Sequence, residues 1–241
     1  MIETLVTSLI AGLATAFGAF IVVAIGRPQE ETLAMMLGGA AGIMIVVVLL
    51  DLIPSSLAYG SLLVAVLGFL SGVLILSILD KFFASFAKRE KKRNSAYLRK
   101  MGYLIAIGIA LHDLPEGIAI AVGYTAADKL GFSLTLAIGM HNIPEGMAVA
   151  APLKMAGTAG WVIMLITLIV ALFTPVGTLI GLILVSFSPQ SMAYLLALAG
   201  GAMTYIVKYE LLPEAKRRHP NYARLGVAVG MLLMVIISFL H

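Results

Sequence analysis

The amino-acid sequence predicts an all-α polytopic membrane protein of eight transmembrane helices, with inverted internal repeats and both termini extracytoplasmic. Of the 241 residues, 61% are hydrophobic and 12% are charged, against roughly 45–50% and 25% in soluble proteins. The mean hydropathy of +1.06 agrees. Because a membrane helix takes about 20 residues, a chain of this length with short loops allows eight crossings. The composition excludes a soluble globular protein, and the net charge of +4 does not indicate nucleic-acid binding in such a chain.

Apolar runs define the predicted spans. The first run begins at residue 4, and its length together with Glu3 indicates an uncleaved helix rather than a secretory signal. Residues 155–207 carry no charge for 53 positions. A helix of that length would measure about 80 Å, so the stretch must turn, and residues 186–190 are the best breaker. The predicted spans are residues 4–26, 33–53, 60–80, 101–123, 131–153, 157–185, 191–213 and 222–240.

The Lys and Arg residues decide the orientation of these spans. With this count, 15 of the 16 basic residues fall on one side of the membrane, and Lys129 alone falls on the other. Since basic residues mark the cytoplasmic face, both termini are expected to face outward. The region between spans three and four is the most basic, and residues 87–100 are predicted to form a flexible cytoplasmic loop. Residues 1–241 are expected to form a single transmembrane domain.

A short motif occurs twice, in spans four and five. The first copy recurs 29 residues later, and the two read His112-Asp113-Leu114-Pro115-Glu116-Gly117 and His141-Asn142-Ile143-Pro144-Glu145-Gly146. One crossing separates the copies, so the two helices are expected to run antiparallel, with both motifs near the bilayer midplane. Proline lacks an N–H and collides with the carbonyl four residues back. A kink is therefore expected in each helix, with the carbonyl oxygens of Leu111 and Met140 freed.

A second, weaker repeat relates spans two and seven. The tetrapeptide Asp51-Leu52-Ile53-Pro54 matches Glu210-Leu211-Leu212-Pro213 at an offset of 159, and Met44 matches Met203 at the same offset. Spans two and seven run in opposite directions, so this repeat is inverted. Inverted repeats around a site near the midplane are typical of membrane transporters.

The motif residues predict a metal site. A charged residue at the centre of a membrane helix costs about 2.5–3.5 kcal/mol, and no Lys or Arg lies at the depth of Asp113, Glu116 and Glu145. These carboxylates must be protonated or hold a cation. His and Glu four residues apart share one helix face, and this donor set suits Zn²⁺ or Fe²⁺ better than Mg²⁺ or Na⁺. The alternative is a proline–glycine kink with buried His–Glu hydrogen bonds.

Two further features bear on this site. Asp113 and Asn142 lie one position after the histidines, about 100° around each helix, and are candidates for an adjoining second ion. The chain contains no cysteine, which excludes thiolate ligands and disulfides.

The double motif and the predicted topology resemble the ZIP (Zrt-/Irt-like) family of divalent metal transporters, in its bacterial and archaeal type. The resemblance covers essentially the whole chain, and the His of the second copy is similar to the broad-range bacterial branch. It implies movement of Zn, with Fe, Mn, Cd and Co as further substrates, into the cytoplasm through a midplane site for two ions, with an elevator-like shift of one helix bundle. The metal is substrate, and neither a resident cofactor nor an enzymatic activity is expected.

The resemblance also implies two ligand sets. The first metal site would be formed by His112, Glu116, His141 and Glu145, with Met44 of span two as a weak ligand. The second would be formed by Asp113, Glu116, Asn142 and Glu145.

The chain departs from the family pattern at two positions. Some members carry Glu where this chain has Thr174, and related sequences often have an acid where it has Lys208. Occupancy of the second metal position therefore stays open. Asp51 and Glu210 are candidates for carboxylates along the cation pathway, and the alternative is an acid that reaches water or a hydrogen-bond partner at a helix end.

Two other functions remain as alternatives. Facing His/Glu pairs can line the pore of a metal-selective cation channel, and the same ligands can activate water in an intramembrane metalloenzyme. The zincin spacing H-E-x-x-H is absent, which argues against the enzyme. The expected partners are the lipid bilayer and the transported ions, with a homodimer as a further alternative and no nucleic acid. The expected location is the cell (inner) membrane.

Overall fold

The structure is a computed structural model that describes residues 2–26, 28–87, 93–126, 128–183 and 189–239, and every secondary-structure element in these ranges is helical. The prediction of an all-α protein is confirmed. The α-helices are α1 (Ile2–Ile25), α2 (Glu30–Val46), α3 (Ile53–Tyr59), α4 (Leu62–Ala87), α5 (Arg93–Ala126), α6 (Asp128–Met155), α7 (Gly160–Ala171), α8 (Phe173–Ile183), α9 (Pro189–Ile206), α10 (Leu212–Arg218) and α11 (Pro220–Phe239). Arg27, the basic run 88–92 and most of the predicted breaker at 186–190 lie outside the described residues.

Six helical stretches of the described chain are long and apolar enough to cross a membrane. They are Ile2–Ile25, Glu30–Tyr59, Leu62–Phe82, Ser95–Thr125, Gly160–Ile183 and Pro189–Arg218. A shorter apolar helix covers Pro220–Ile236. Helix α6, which carries the second motif and has Lys154 in its last turn, is not among the six.

The distribution of polarity is the reverse of that in a soluble protein. Large apolar side chains are exposed along the helices, as in Ile2 (76%), Leu62 (68%) and Trp161 (71%). The motif acids and histidines are buried instead. An exposed apolar surface of this extent is stable only against lipid, so the fold is that of a multi-span membrane protein.

A π-helical turn precedes the proline in each copy of the second repeat. These turns cover Val47–Leu52 and Val207–Leu211. The Ile53 N–H donates to the carbonyl of Val48, five residues back, and the Leu212 N–H donates to that of Val207. A proline cannot continue the α-helical hydrogen-bond pattern, and a widened turn before it avoids the clash. Such turns are frequent at functional sites.

The second repeat extends well beyond the four residues that revealed it. The two π-turns end 159 positions apart, at Leu52 and Leu211. Helices α3 and α10, each seven residues long, also begin and end 159 positions apart. The two segments therefore share one sequence of elements, with an α-helix, a π-turn and a short α-helix in the same register.

The prolines of the two motifs do not end their helices. Helix α5 continues through Pro115 and α6 continues through Pro144. An interruption falls in predicted span six instead, where α7 ends at Ala171 and α8 begins at Phe173. Pro175 causes this break, because it collides with the carbonyl of Ala171 four residues back.

The boundary after α4 also differs from the prediction. Ala87 belongs to α4 and residues 93–100 belong to α5, so these positions of the loop predicted over residues 87–100 are helical instead. Residues 93–100 lie on the helix that carries the first motif. Side chains near the start of α5 are thereby fixed relative to that motif.

The helices pack in two groups. Helices α1, α5, α6, α7 and α8 contact mainly one another, and α2, α3, α4, α9, α10 and α11 form the second group. Helix α5 meets α4 and α9 across the boundary, and α6 meets α2. Both motifs belong to the first group.

Candidate metal centre

The histidine of each motif pairs with the glutamate of the other. His112 Nε2 on α5 lies 3.1 Å from Glu145 Oε2 on α6, and His141 Nε2 lies 3.2 Å from Glu116 Oε1. His112 therefore lies opposite Glu145. Glu116, four residues after His112, lies opposite His141, which is four residues before Glu145. This relation requires antiparallel helices, which confirms that prediction. The two His/Glu pairs face each other, and the shortest contacts run between helices.

The ring of His112 is held in a defined orientation. Its Nδ1 lies 3.1 Å from the carbonyl oxygen of Gly108, one turn earlier on α5. A carbonyl only accepts, so Nδ1 carries a proton and donates it. Such a second hydrogen bond fixes the tautomer and presents Nε2 to a metal. A carboxylate oxygen 3.1 Å from that nitrogen then requires a proton or a cation nearby.

The polar atoms around these pairs are buried, and many have no hydrogen-bond partner among the described residues. The unpartnered atoms are both carboxylate oxygens of Asp113, Glu116 Oε2, Glu145 Oε1, Asn142 Oδ1 and His141 Nδ1. All five residues are at most 6% exposed. Removing a partner from a buried charged group typically costs 3–5 kcal/mol. A cation bound among these groups would compensate several of them at once.

Three ligand atoms of the first motif lie close enough to share one ion. Those of His112, Asp113 and Glu116 are all within 4.8 Å of one another, and Asp113 Oδ1 lies 3.6 Å from His112 Nε2. Asp113 therefore lies beside the His/Glu pairs. Asn142 differs, because its Nδ2 donates to the carbonyl of Ala11 on α1 at 3.0 Å. Its Oδ1 remains as the amide atom that can coordinate a cation.

The other predicted residues lie on the second helix group. Met44 is fully buried in the main apolar cluster on α2, and its role as a ligand stays a prediction. Asp51 is half-buried in the first π-turn. Glu210 lies in the second π-turn, and its Oε1 is 3.7 Å from Lys100 Nζ.

Lys100 belongs to a polar cluster that the sequence analysis missed. Its Nζ contacts Asp80 on α4 as well as Glu210, and Tyr205 on α9 donates to Asp80 Oδ2 at 2.9 Å. Lys100 is about 18 Å along α5 from His112, at about 1.5 Å per residue, so it does not neutralise the motif acids. The proximity of Asp80 and Lys100 could have been predicted from the topology. Asp80 lies at the end of predicted span three, and Lys100 lies just before predicted span four, on the same side of the membrane.

Comparison with known proteins identifies the family. A family model described as ZIP zinc transporter matches residues 84–238. The chain belongs to the ZIP zinc transporter family.

Relatives of this ZIP protein match over most of its length. It is 34% identical to "Zinc transporter ZTP29" of Arabidopsis thaliana, over 89% of this chain and 85% of that protein. It is 32% identical to "Zinc transporter ZupT" of Chlorobium luteolum, over 96% of this chain and 95% of that protein. A ZupT protein of Escherichia fergusonii is 34% identical over 95% and 93% of the two chains. The resemblance to the ZIP family is confirmed, as is the prediction of a transporter rather than an enzyme.

Proposed function

We propose that this ZIP family member moves divalent transition-metal cations, Zn²⁺ first among them, into the cytoplasm through the His/Glu/Asp site on α5 and α6. The observation that carries the proposal is the crossed pairing of two buried histidines with two buried glutamates. Imidazole nitrogen and carboxylate oxygen suit Zn²⁺, Fe²⁺, Mn²⁺, Cd²⁺ and Co²⁺. Zn²⁺ comes first because relatives of this chain are named as zinc transporters.

Two ligand sets follow for this site. The first ion would be held by His112, Glu116, His141 and Glu145, with Met44 as an added weak ligand. The second would be held by Asp113, Asn142 and the two glutamates, which bridge both positions. The fixed ring of His112 supports the first set, and the unpartnered oxygens of Asp113 and Asn142 support the second.

The same proposal includes the topology. Eight crossings put 15 of the 16 basic residues on the cytoplasmic side and both termini outside. Helix α6 has 28 residues, or about 42 Å at about 1.5 Å per residue, which is enough to cross the roughly 30 Å hydrocarbon core. Together with α11 and the six long apolar stretches, α6 gives eight crossings, which form a single domain over residues 1–241. The bacterial relatives support the cell (inner) membrane as the location, and a homodimer stays a prediction.

A carrier fits the architecture better than a channel does. The ligands belong to one helix group, and Met44, Asp51 and Glu210 belong to the other. A shift of one group against the other would expose the site to each side in turn, as in transporters built from inverted repeats. Asp51 and Glu210, at equivalent positions of the repeat, would then be carboxylates at the two ends of the pathway.

Uptake into proteoliposomes tests this proposal. Vesicles that contain the purified protein should take up Zn²⁺ with saturation at low turnover, and Fe²⁺, Mn²⁺ and Cd²⁺ should compete. The experiment is run with and without a pH gradient to find the coupling ion. Flux that rises linearly with metal concentration would favour the channel, and no uptake above protein-free vesicles would reject the proposal.

A further inference from the structure

Helices of the same group touch through their backbones. A Cβ atom on Gly177 of α8 would collide with the carbonyl oxygen of Leu114 on α5, and both helices belong to the first group. In the second group, a Cβ atom on Gly72 of α4 would collide with the carbonyl oxygen of Leu198 on α9. Glycine permits this close approach between membrane helices. Such contacts leave the helices of one group little room to shift against each other.

Side chains meet where α5 faces the second group. A Cβ atom on Gly108 of α5 would have the side chains of Ile206 on α9 and Leu76 on α4 as its nearest neighbours. The carbonyl oxygen of Gly108 accepts the hydrogen bond of His112 Nδ1 at 3.1 Å. The contact between the groups therefore passes within one helical turn of His112. It is apolar, and no hydrogen bond fixes the two side chains to Gly108.

Lys100 makes an ionic contact across the same boundary. Its Nζ contacts Asp80 on α4 and lies 3.7 Å from Glu210 Oε1 in the second π-turn. Lys100 belongs to the first group, and both acids belong to the second. The side chains of Lys100 and Glu210 are 13% and 3% exposed. Separation of the groups would leave a buried carboxylate without its cation, which is costly.

Tyr97, one turn before Lys100, joins the groups in the same place. The Nζ of Lys100 lies 5.7 Å from the centre of the Tyr97 ring, and the guanidinium carbon of Arg217 lies 5.6 Å from it. Arg217 is on α10, in the second group, and donates two hydrogen bonds of 2.8 Å to the buried side chain of Glu214. Cations at this distance are attracted to the face of an aromatic ring. The start of α5 is therefore held to α4, the second π-turn and α10.

The second group holds the carboxylate of Asp80 in place for this contact. Tyr205 on α9 donates to Asp80 Oδ2 at 2.9 Å, and its ring lies 4.7 Å from that of Tyr209. These contacts join α4, α9 and the second π-turn, which belong to one group. The acceptor of Lys100 is thus fixed independently of α5, so a movement of α5 breaks the ion pair instead of carrying Asp80 with it.

We propose that Lys100 is a latch between the two helix groups, and that it must leave Asp80 and Glu210 before one group shifts against the other. This inference rests on the function proposed above, in which such a shift carries the ion. The latch lies at the end of α5 that the topology assigns to the cytoplasm. Because it is about 18 Å along α5 from His112, it governs the movement of the site and not the affinity of the site for metal.

Cross-linking between the groups tests the latch. The chain contains no cysteine, so the pair Gly108→Cys with Ile206→Cys is the sole reactive pair. The shorter cysteine side chain also removes the end of Ile206, with which a Cβ atom on Gly108 would collide. Neighbouring cysteines of this kind form a disulfide on oxidation. Added Lys100→Met should slow this cross-linking by about tenfold, because the closed arrangement is then less populated.

Two controls separate the latch from general damage. The pair Gly68→Cys with Ala197→Cys joins α4 and α9 within the second group, where a Cβ atom on Gly68 would lie 3.0 Å from that of Ala197. Its cross-linking should be the same with and without Lys100→Met. Lys129→Met, at an exposed lysine, should leave the cross-linking between the groups unchanged.

A charge exchange tests the ion pair itself. Lys100→Glu alone places three acids together and should slow the cross-linking between the groups at least as much as Lys100→Met does. Lys100→Glu combined with Asp80→Lys restores opposite charges on α5 and α4, and should recover most of the rate. Absence of this recovery would overturn the inference, because the effect of Lys100→Met would then come from lost packing.

The remaining outcomes separate this inference from the proposed function. An unchanged rate of cross-linking between the groups in the Lys100→Met protein would overturn the latch alone. If that protein does not fold, as judged by the control pair within the second group, Asp80→Asn replaces it with the same expectation. The cross-linking rates do not depend on transport, whereas wild-type vesicles that take up no Zn²⁺ would overturn the proposed function.

Discussion

His112 on α5 and Glu145 on α6 form the shortest histidine–carboxylate contact of the site, with 3.1 Å between Nε2 and Oε2. They belong to different copies of the motif, so this contact requires both copies. The contact joins two antiparallel helices through side chains that are both fully buried. An ion held between them therefore fixes the two helices to each other, and its affinity depends on both copies.

Replacement of a bridging glutamate should remove transport. Glu116→Gln or Glu145→Gln takes a charged ligand from both ion positions and leaves one histidine without its carboxylate. We expect metal affinity to fall by more than about 100-fold, the upper range for loss of an outer-shell partner, while insertion is retained. Isothermal titration and vesicle uptake measure the effect. Glu3→Gln, at an exposed carboxylate of α1, is the control, and normal uptake by folded Glu145→Gln would reject the ligand assignment.

Asp113 should hold the weaker of two ions. Three carboxylates carry a charge of −3, and two divalent ions carry +4, so the second ion is tolerated but not strongly held. We expect wild-type protein to bind one ion tightly and one weakly, and Asp113→Asn to lose the weak event only. Calorimetric titration with Zn²⁺ separates the two events. An unchanged two-ion titration of this variant would show that Asp113 is not a ligand and only accepts a hydrogen bond between helices.

Metal binding should weaken in acid. A histidine ligates only when its Nε2 is unprotonated, and carboxylates ligate when ionised. As the pH falls below the ordinary histidine pKa of about 6.5, protons compete for the same atoms, so the affinity falls with decreasing pH. Binding measured at several values between about pH 5 and 7.5 tests this. A flat affinity over that range would mean that neither His112 nor His141 is a ligand.

The polar cluster at Lys100 should contribute to stability without contributing to metal affinity. Lys100→Gln leaves Asp80 and the 3% exposed side chain of Glu210 without their cation. We expect a loss of about 1–3 kcal/mol, below the 3–5 kcal/mol of a fully buried pair, because the Asp80 side chain is 22% exposed and partly screened.

Thermal unfolding in detergent measures this loss, and Lys129→Gln, at an exposed lysine, should leave the Tm unchanged. The double variant Lys100→Met with Glu210→Gln should recover part of the loss, because fewer charges are left unpaired. An unaltered Tm for Lys100→Gln would show that the cluster is not a stabilising contact.

The all-α membrane fold and the candidate site residues could both be proposed from the sequence for a simple reason. Apolar composition and polar motifs are local properties of the chain, and a charge such as Glu145 in an apolar helix needs a compensating partner. It did not predict which histidine meets which glutamate, because pairing within a helix and pairing between helices use the same helix face.

Other features depended on contacts between distant parts of the chain. The pairing of Lys100 with Asp80 and Glu210 joins three helices that no local pattern connects. The π-turns result from how each helix accommodates Pro54 or Pro213, which has several solutions.

The crossed pairing has a consequence for the direction of transport. Because His112 relates to Glu145 as His141 relates to Glu116, an ion in the site meets nearly the same ligands whether it arrives from one membrane face or the other. The ligand set therefore does not favour one direction of transport. Among their polar residues, the two motifs differ only at Asp113 and Asn142. Under the proposed function, an ion could then leave this site toward either face, and vesicles loaded with metal should release it by the route through which they accumulate it.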